Sequence, residues 1–331
     1  MSLLKNNMTK IRVCAMIMAT LVLLVLPMFA DSFLIIMLIR FMYFGLMTIS
    51  FSFLASQLGL FSLMVPVFYS LVAYVVAITN IRGMMPMELS VVLAFVISMA
   101  FAALCGVLVN RTRAITFLML TLVLSQLVWS VATTWTNLTN GVDGLIGINF
   151  PAWLNIFSED ANVNRYYWVF IAFATTAGLV WLLTKSHYGL LLRGIRESES
   201  RMKALGYNTA LLKWTAFMIA AYVSSVGGLL YIYFRQMVTP EILTLGASNQ
   251  SLIASILGGI NSVFAGSILG TVIILTMELV LSGIIRRYAI LVGSILLFVI
   301  LFTPNGLIAI NESAIGKKVI GFVKKGKRDK Q

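Results

Sequence analysis

Leu89-Ser-Val-Val-Leu-Ala-Phe-Val-Ile-Ser-Met-Ala-Phe-Ala-Ala-Leu-Cys-Gly-Val-Leu-Val-Asn110, followed at once by Arg111-Thr-Arg113, is the stretch that decides the fold. It runs for 22 residues without a charge. A helix of that length reaches about 33 Å, enough to cross a hydrocarbon core of about 30 Å. The basic residues that close it mark a cytoplasmic boundary, because short loops rich in Lys and Arg stay inside.

The rest of the chain repeats this alternation. Of its 331 residues 60% are hydrophobic and 11% charged, and the mean hydropathy is +0.99. A soluble domain carries about 25% charged residues to cover its surface, so this composition requires a bilayer. The formal net charge of +13 does not indicate a nucleic-acid partner. The basic residues sit in short clusters between apolar runs: Lys5 to Arg12, Arg111 and Arg113, Lys185 to Lys213, and Lys317 to Lys330. Membrane lipid is the expected surroundings. Cys14 and Cys105 lie in or beside apolar runs and His187 is the single histidine, so neither a disulfide framework nor a metal set is indicated and a histidine cluster is impossible.

Apolar runs at Val13–Ala30, Leu34–Leu58, Ser62–Ile78, Leu89–Asn110, Ala114–Thr134, Tyr166–Leu183, Lys213–Phe234 and Tyr288–Phe302 each predict a membrane span. The first is read as a retained span rather than a leader. Ser248–Ser282 is too long for one crossing and contains Gly258, Gly259, Gly266 and Gly270, so it reads as two helices meeting at a break or as one interrupted helix. The expectation is an all-α polytopic membrane protein of about ten transmembrane helices, with nine or a reentrant variant as the alternative because Arg286 and Arg287 would otherwise lie outside. A cytoplasmic N-terminus (1–12) precedes a transmembrane domain (13–308) and a basic cytoplasmic tail (309–331). A loop at 135–165 lies outside and a loop at 185–212 inside.

The inner loop is the most informative. Arg193/Glu197, Glu197/Arg201 and Glu199/Lys203 are opposite charges four residues apart, each worth about 0.2–0.5 kcal/mol on an exposed helix. Gly206 stands where a helix would stop, and Ile195, Met202 and Leu205 supply apolar contacts. This predicts a short amphipathic helix at the membrane surface, either a plain interfacial helix or a docking element for a soluble partner. In the outer loop, Asn140-Gly141 and Asp143-Gly144 form turns, and Asp143 is a candidate for contact with a binding protein. The four glycines serve close helix packing or a broken helix in a translocation path, and the sequence leaves both open. Arg40, Glu278, Arg235 and Glu241 are charges in or near spans, functional candidates by position.

Five segments then carry a resemblance in order and at family spacing. They are Arg113-Ala-Ile-Thr-Phe-Leu-Met-Leu-Thr-Leu122, Thr139-Asn-Gly-Val-Asp-Gly-Leu145, the Gly189–Gly206 loop with its Arg196-Glu-Ser-Glu199 core and Lys203-Ala-Leu-Gly206 ending, Leu257-Gly-Gly-Ile-Asn-Ser-Val-Phe-Ala-Gly-Ser-Ile-Leu-Gly270, and Phe302-Thr-Pro-Asn-Gly-Leu307. The chain resembles the permeases of branched-chain amino acid ABC importers, in their LivM-like branch. The resemblance implies a type II-like ABC importer permease fold and a complex with a second LivH-like permease, two cytoplasmic ATPase subunits and a periplasmic amino-acid-binding protein. ATP and Mg would be bound by the ATPase partners and no cofactor by this chain, which would not itself be an enzyme. No phosphate-binding Gly-x-x-x-x-Gly-Lys-Ser/Thr loop occurs in it.

By the same resemblance Arg193, Arg196, Glu197, Glu199, Lys203, Ala204 and Gly206 form the ATPase-coupling element. Ser62, Tyr74, Gly258, Gly259, Asn261, Gly266 and Gly270 are candidates for the translocation path. The stretch Gly59 to Tyr74 departs from the family: Ser62, Leu63, Ala73 and Tyr74 match, whereas a histidine and most glycines are replaced. Asn261 and Ser267 replace a glycine and a proline. These changes leave a urea or short-amide importer as the alternative cargo reading. A stand-alone secondary carrier is the alternative of another class, disfavoured by the scarcity of acidic residues in the spans.

Overall fold

The computed structural model describes residues 31–109, 112, 114–151, 156, 160–260 and 262–284, with short pieces at 23–24, 26–28 and 293–294. The expected spans Val13–Ala30 and Tyr288–Phe302, both chain ends, Asn261 and the 302–307 motif lie wholly or mainly outside these residues. The α-helices of six or more residues are α1 (Ser32–Leu58), α2 (Val65–Ile81), α3 (Met87–Val109), α4 (Ala114–Thr134), α5 (Ala161–Lys185), α6 (His187–Glu197), α7 (Glu199–Ala204), α8 (Thr209–Arg235), α9 (Leu245–Gly258) and α10 (Ala265–Ile284). A two-residue antiparallel ladder pairs β1 (Leu145–Ile146) with β2 (Met237–Val238).

Among the described residues five helices, α1, α3, α4, α5 and α8, are long and apolar enough to cross a membrane. Their packing is the reverse of a soluble bundle. On α3 the small residues Ser90, Ala94, Ser98 and Ala102 recur every fourth position and are buried, while Val92 and Val96 are exposed. On α4 the exposed stripe is Ile115, Met119, Val123, Leu127 and Val131, again four apart. Large aliphatic side chains face lipid at no cost, and small residues turned inward let backbones approach.

Hydroxyls then bond across the contacts. Ser98 Oγ lies 2.8 Å from Ser225 Oγ, Ser50 donates to the Ala220 carbonyl at 2.6 Å, and Ser52 bonds both Ser255 and Ser267 at 2.6 and 2.7 Å. The core is formed by the second half of α1, buried on all sides from Met42 to Leu58, with α2 and α8 around it.

The expected crossing Ser62–Ile78 is corrected. Helix begins only at Val65, where Pro66 suits a first turn that leaves backbone N–H groups unpaired. Ser224, midway along α8, donates to the Val65 carbonyl at 2.6 Å, so α2 starts level with the middle of the ~40 Å α8 rather than at its end. The preceding Gly59–Met64 is non-helical backbone, buried at Leu60 and from Ser62 to Met64. Side chains satisfy it: Thr121 Oγ1 accepts from Leu63 N at 3.2 Å, Ser248 Oγ donates to Leu63 O at 3.2 Å, and Ser62 Oγ accepts from Met64 N at 3.3 Å. Irregular backbone at membrane depth survives only with such cover.

The long Ser248–Ser282 region does break, into antiparallel α9 and α10. α9 has 14 residues, about 21 Å, and is shorter than a full crossing.

Candidate translocation cavity and coupling surface

α8 runs between two candidate sites. At its N-terminal end lie α6 and α7. The expected single amphipathic helix is instead two, because Ser198 is extended (φ −161°, ψ 101°) and its side chain accepts from Arg201 N at 3.4 Å, capping α7. Leu192, Ile195 and Met202 are buried, whereas Leu205, expected to make an apolar contact, is 72% exposed. The stop at Gly206 is formed as expected, with Gly206 N bonded to Lys203 O and Tyr207 N to Met202 O.

Two of the expected contact residues are engaged within the chain. Arg196 Nη1 donates to the carbonyl of Ser56, one of the last-turn carbonyls of α1 that lack an intrahelical donor. It thereby closes the negative end of α1 next to the Gly59–Met64 break. Glu199 is half-buried rather than exposed. Its carboxylate bonds Lys213 of α8 and Thr209, and it pairs with Lys203 at 2.9 Å. Burial raises its pKa, but the hydrogen bonds and charges of Lys213 and Lys203 outweigh this and hold it down at about 2. Arg193, Glu197, Lys203, Ala204 and Gly206 are exposed.

At the other end of α8, a cavity of about 710 Å³ opens between α1, α2, α8, α9 and α10. Arg40, Glu278, Arg235 and Glu241, scattered through 239 residues of sequence, all line it. Arg40 Nη2 meets Glu278 Oε2 at 3.1 Å, and Gln250 Nε2 donates to the same oxygen at 3.0 Å. Tyr43, Tyr69 and Tyr231 form an aromatic wall, with ring centroids 5.4 and 5.6 Å apart, and Met47, Ile253, Ile274 and Leu275 an aliphatic one. No sequence signal joined these positions.

The path candidates among the described residues lie elsewhere. Ser62 and Tyr74 are buried, and the Tyr74 hydroxyl takes no hydrogen bond among the described residues. Gly258, Gly266 and Gly270 sit where α9 and α10 touch, such that a Cβ on Gly258 would lie 1.7 Å from Gly266 O. Gly259 ends α9 with φ 113°. Asp143 is exposed on the rim of a second cavity of about 410 Å³, shared with Arg82 and Asn137. The loop carrying it is held by Asn140 Nδ2 to Gly144 O at 2.9 Å and by the β1–β2 ladder.

Comparison with known proteins supplies the context. The chain is 24% identical over 264 residues to the high-affinity branched-chain amino acid transport system permease protein LivM of Salmonella typhimurium, and 24% identical over 264 residues to that of Escherichia coli. Each match covers 73% of this chain and 62% of the relative. The chain therefore accounts for under two thirds of those proteins' length. No solved structure matches it. The family described as the branched-chain amino acid transport system permease component matches residues 33–303, so with its lipid-facing apolar helices this chain is a multi-pass membrane protein and belongs to that permease family.

Proposed function

We propose that the chain is a transmembrane permease subunit of an ATP-driven importer of branched-chain amino acids in a bacterial inner membrane. In this reading it adopts a type II-like fold of about ten helices with both termini cytoplasmic. It forms the translocation path with a LivH-like permease, receives substrate from a periplasmic binding protein, and is driven by two cytoplasmic ATPase subunits that bind ATP and Mg.

The observation that carries the reading is the α6–α7 unit. It is clamped to α1 through Arg196 and to α8 through Glu199–Lys213, while Arg193, Glu197 and Ala204 face away from the chain. α1 and α8 are also two walls of the cavity. A push on that exposed surface is transmitted along stiff helices to the cavity, which is how work done by a separate ATPase reaches a substrate path. A carrier that energises itself needs no such surface.

The test is Glu197→Lys together with Arg193→Glu in the full complex. Leucine uptake is expected to fall at least about tenfold with membrane insertion, stability and co-purification of the second permease unchanged. Normal uptake by a variant with both charges reversed, or purification of the chain with no ATPase at all, overturns the reading.

A further inference from the structure

The Arg40–Glu278 pair is an unusual feature for a membrane protein. Arg40 is the ninth residue of α1 and Glu278 the fourteenth of α10, so neither lies at a helix end where water is at hand. An ion pair at such depth is weak as a stabilising device, because the attraction between the charges is offset by the loss of their hydration. The pair is also incompletely buried: its side chains remain 39% and 25% exposed, and what they are exposed to is the cavity. Among the described residues Arg40 engages Glu278 through Nη2 alone, although a guanidinium carries five N–H donors. Both Arg40 and Gln250 bond Oε2 of Glu278, and Oε1 takes no hydrogen bond among the described residues.

An amino acid carries a carboxylate and an ammonium on one carbon. Bringing it out of water is costly unless each charge meets an opposite one, and a cation beside an anion, each with bonding capacity in hand, meets that need. The neighbouring wall of Tyr43, Tyr69 and Tyr231 supplies an apolar surface for the rest of the molecule. A neutral amide such as urea has no use for the pair and would leave it closed on itself.

We propose that Arg40 and Glu278 form a zwitterion site in this cavity: Arg40 receives the carboxylate, Glu278 receives the ammonium, and the two re-pair when the ligand leaves. Gln250 is a positioning residue that fixes the Glu278 carboxylate. The inference rests on the reading of the chain as an amino-acid permease subunit, and it names the groups that hold the cargo on its way through.

The experiment uses the purified full-chain complex in lipid nanodiscs without binding protein. Tritiated L-leucine is the probe, and leucinamide (no carboxylate), 4-methylpentanoate (no ammonium) and urea are the competitors. Wild type is expected to bind leucine, displaced by none of the three. Arg40→Gln and Glu278→Gln are each expected to weaken leucine binding about tenfold or more, the scale of one lost charge-assisted hydrogen bond. Arg40→Gln should lose the preference for leucine over leucinamide, and Glu278→Gln the preference over 4-methylpentanoate. The neutral double variant Arg40→Gln/Glu278→Gln removes any penalty of one unpaired charge, so it should purify as wild type yet stay weak in binding.

A double variant that binds leucine like wild type shows a structural brace and overturns the site. So does weakened binding with both preferences intact, or an absence of leucine binding by a wild-type complex that retains its ATPase; in these cases the permease reading stands. Displacement of leucine by urea, or recovery of the chain without an ATPase, overturns the permease reading itself and the site with it.

Discussion

Replacing Gly258 with alanine tests one of the tightest contacts among the described residues. A Cβ there would lie 1.7 Å from the Gly266 carbonyl oxygen and 2.5 Å from its carbon, whereas a carbon rests against a carbonyl oxygen at about 3.3 Å or more. The obstacle is backbone, so no side-chain rotation relieves it. α9 and α10 must part by about 1.5 Å. Such overpacking costs about 1–3 kcal/mol. The same movement stretches Ser52–Ser255 and Ser267–Ser52, at 2.6 and 2.7 Å, and interhelical hydrogen bonds in membranes are worth about 0.6 kcal/mol each.

The expected loss is therefore about 2–4 kcal/mol, measured by reversible unfolding in mixed micelles and read by tryptophan fluorescence. Gly178→Ala is the control: nothing lies within 4 Å of its added Cβ on α5, and helix propensity should make it neutral or stabilising by up to about 1 kcal/mol. Gly258→Ala matching Gly178→Ala in stability would refute the close approach of α9 and α10. It would also reopen these glycines as a path rather than a packing seam.

Three further outcomes follow from other contacts. Glu199 has its pKa lowered to about 2 from 4.5, so its stabilising contribution is nearly complete above about pH 5 and is lost progressively as pH falls from about 4.5 through about 2. Hydrogen-exchange protection of residues 199–213, corrected for intrinsic rates, should be the same at pH 7 and pH 5, and Glu199→Gln should reduce it at both. Gly144→Ala places a Cβ 2.2 Å from the Val238 carbonyl at a φ of +72°, and a strained backbone costs about 1–3 kcal/mol. Exchange at Leu145 and Val238 should rise while the transmembrane helices stay protected. Thr121→Val and Ser248→Ala each remove one partner of Leu63, and each should lower stability by about 0.6 kcal/mol, up to about 1.7. Additive losses in the double variant would argue against the two hydroxyls holding one segment.

The sequence carried the membrane class, the positions of α1, α3, α4, α5 and α8, and the break after Gly258, because hydrophobic length and glycine placement are local properties. It carried the helical character of residues 187–206 and the stop at Gly206, since charge spacing and a terminal glycine are local signals, but not the break at Ser198 that divides them into two helices. It could not separate Glu199 from Glu197. The two carboxylates are two positions apart and chemically similar, and only the approach of Lys213, fourteen residues beyond Glu199, turns one inward. The late start of α2 was hidden for the same reason: Ser62 to Met64 are as apolar as a helix, and the hydroxyls of Thr121 and Ser248 that support an extended path come from distant segments.

Sequence by itself thus determined that this chain lives in a bilayer and which permease family its motifs resemble. Tertiary structure decided which charges share a cavity. Arg40 and Glu278 stand 238 residues apart, and nothing in either local stretch predicts the other. They meet because small residues let α1 and α10 run side by side, Ser52 against Ser267 and Thr48 against Thr271, and that antiparallel register carries the two charges to one level.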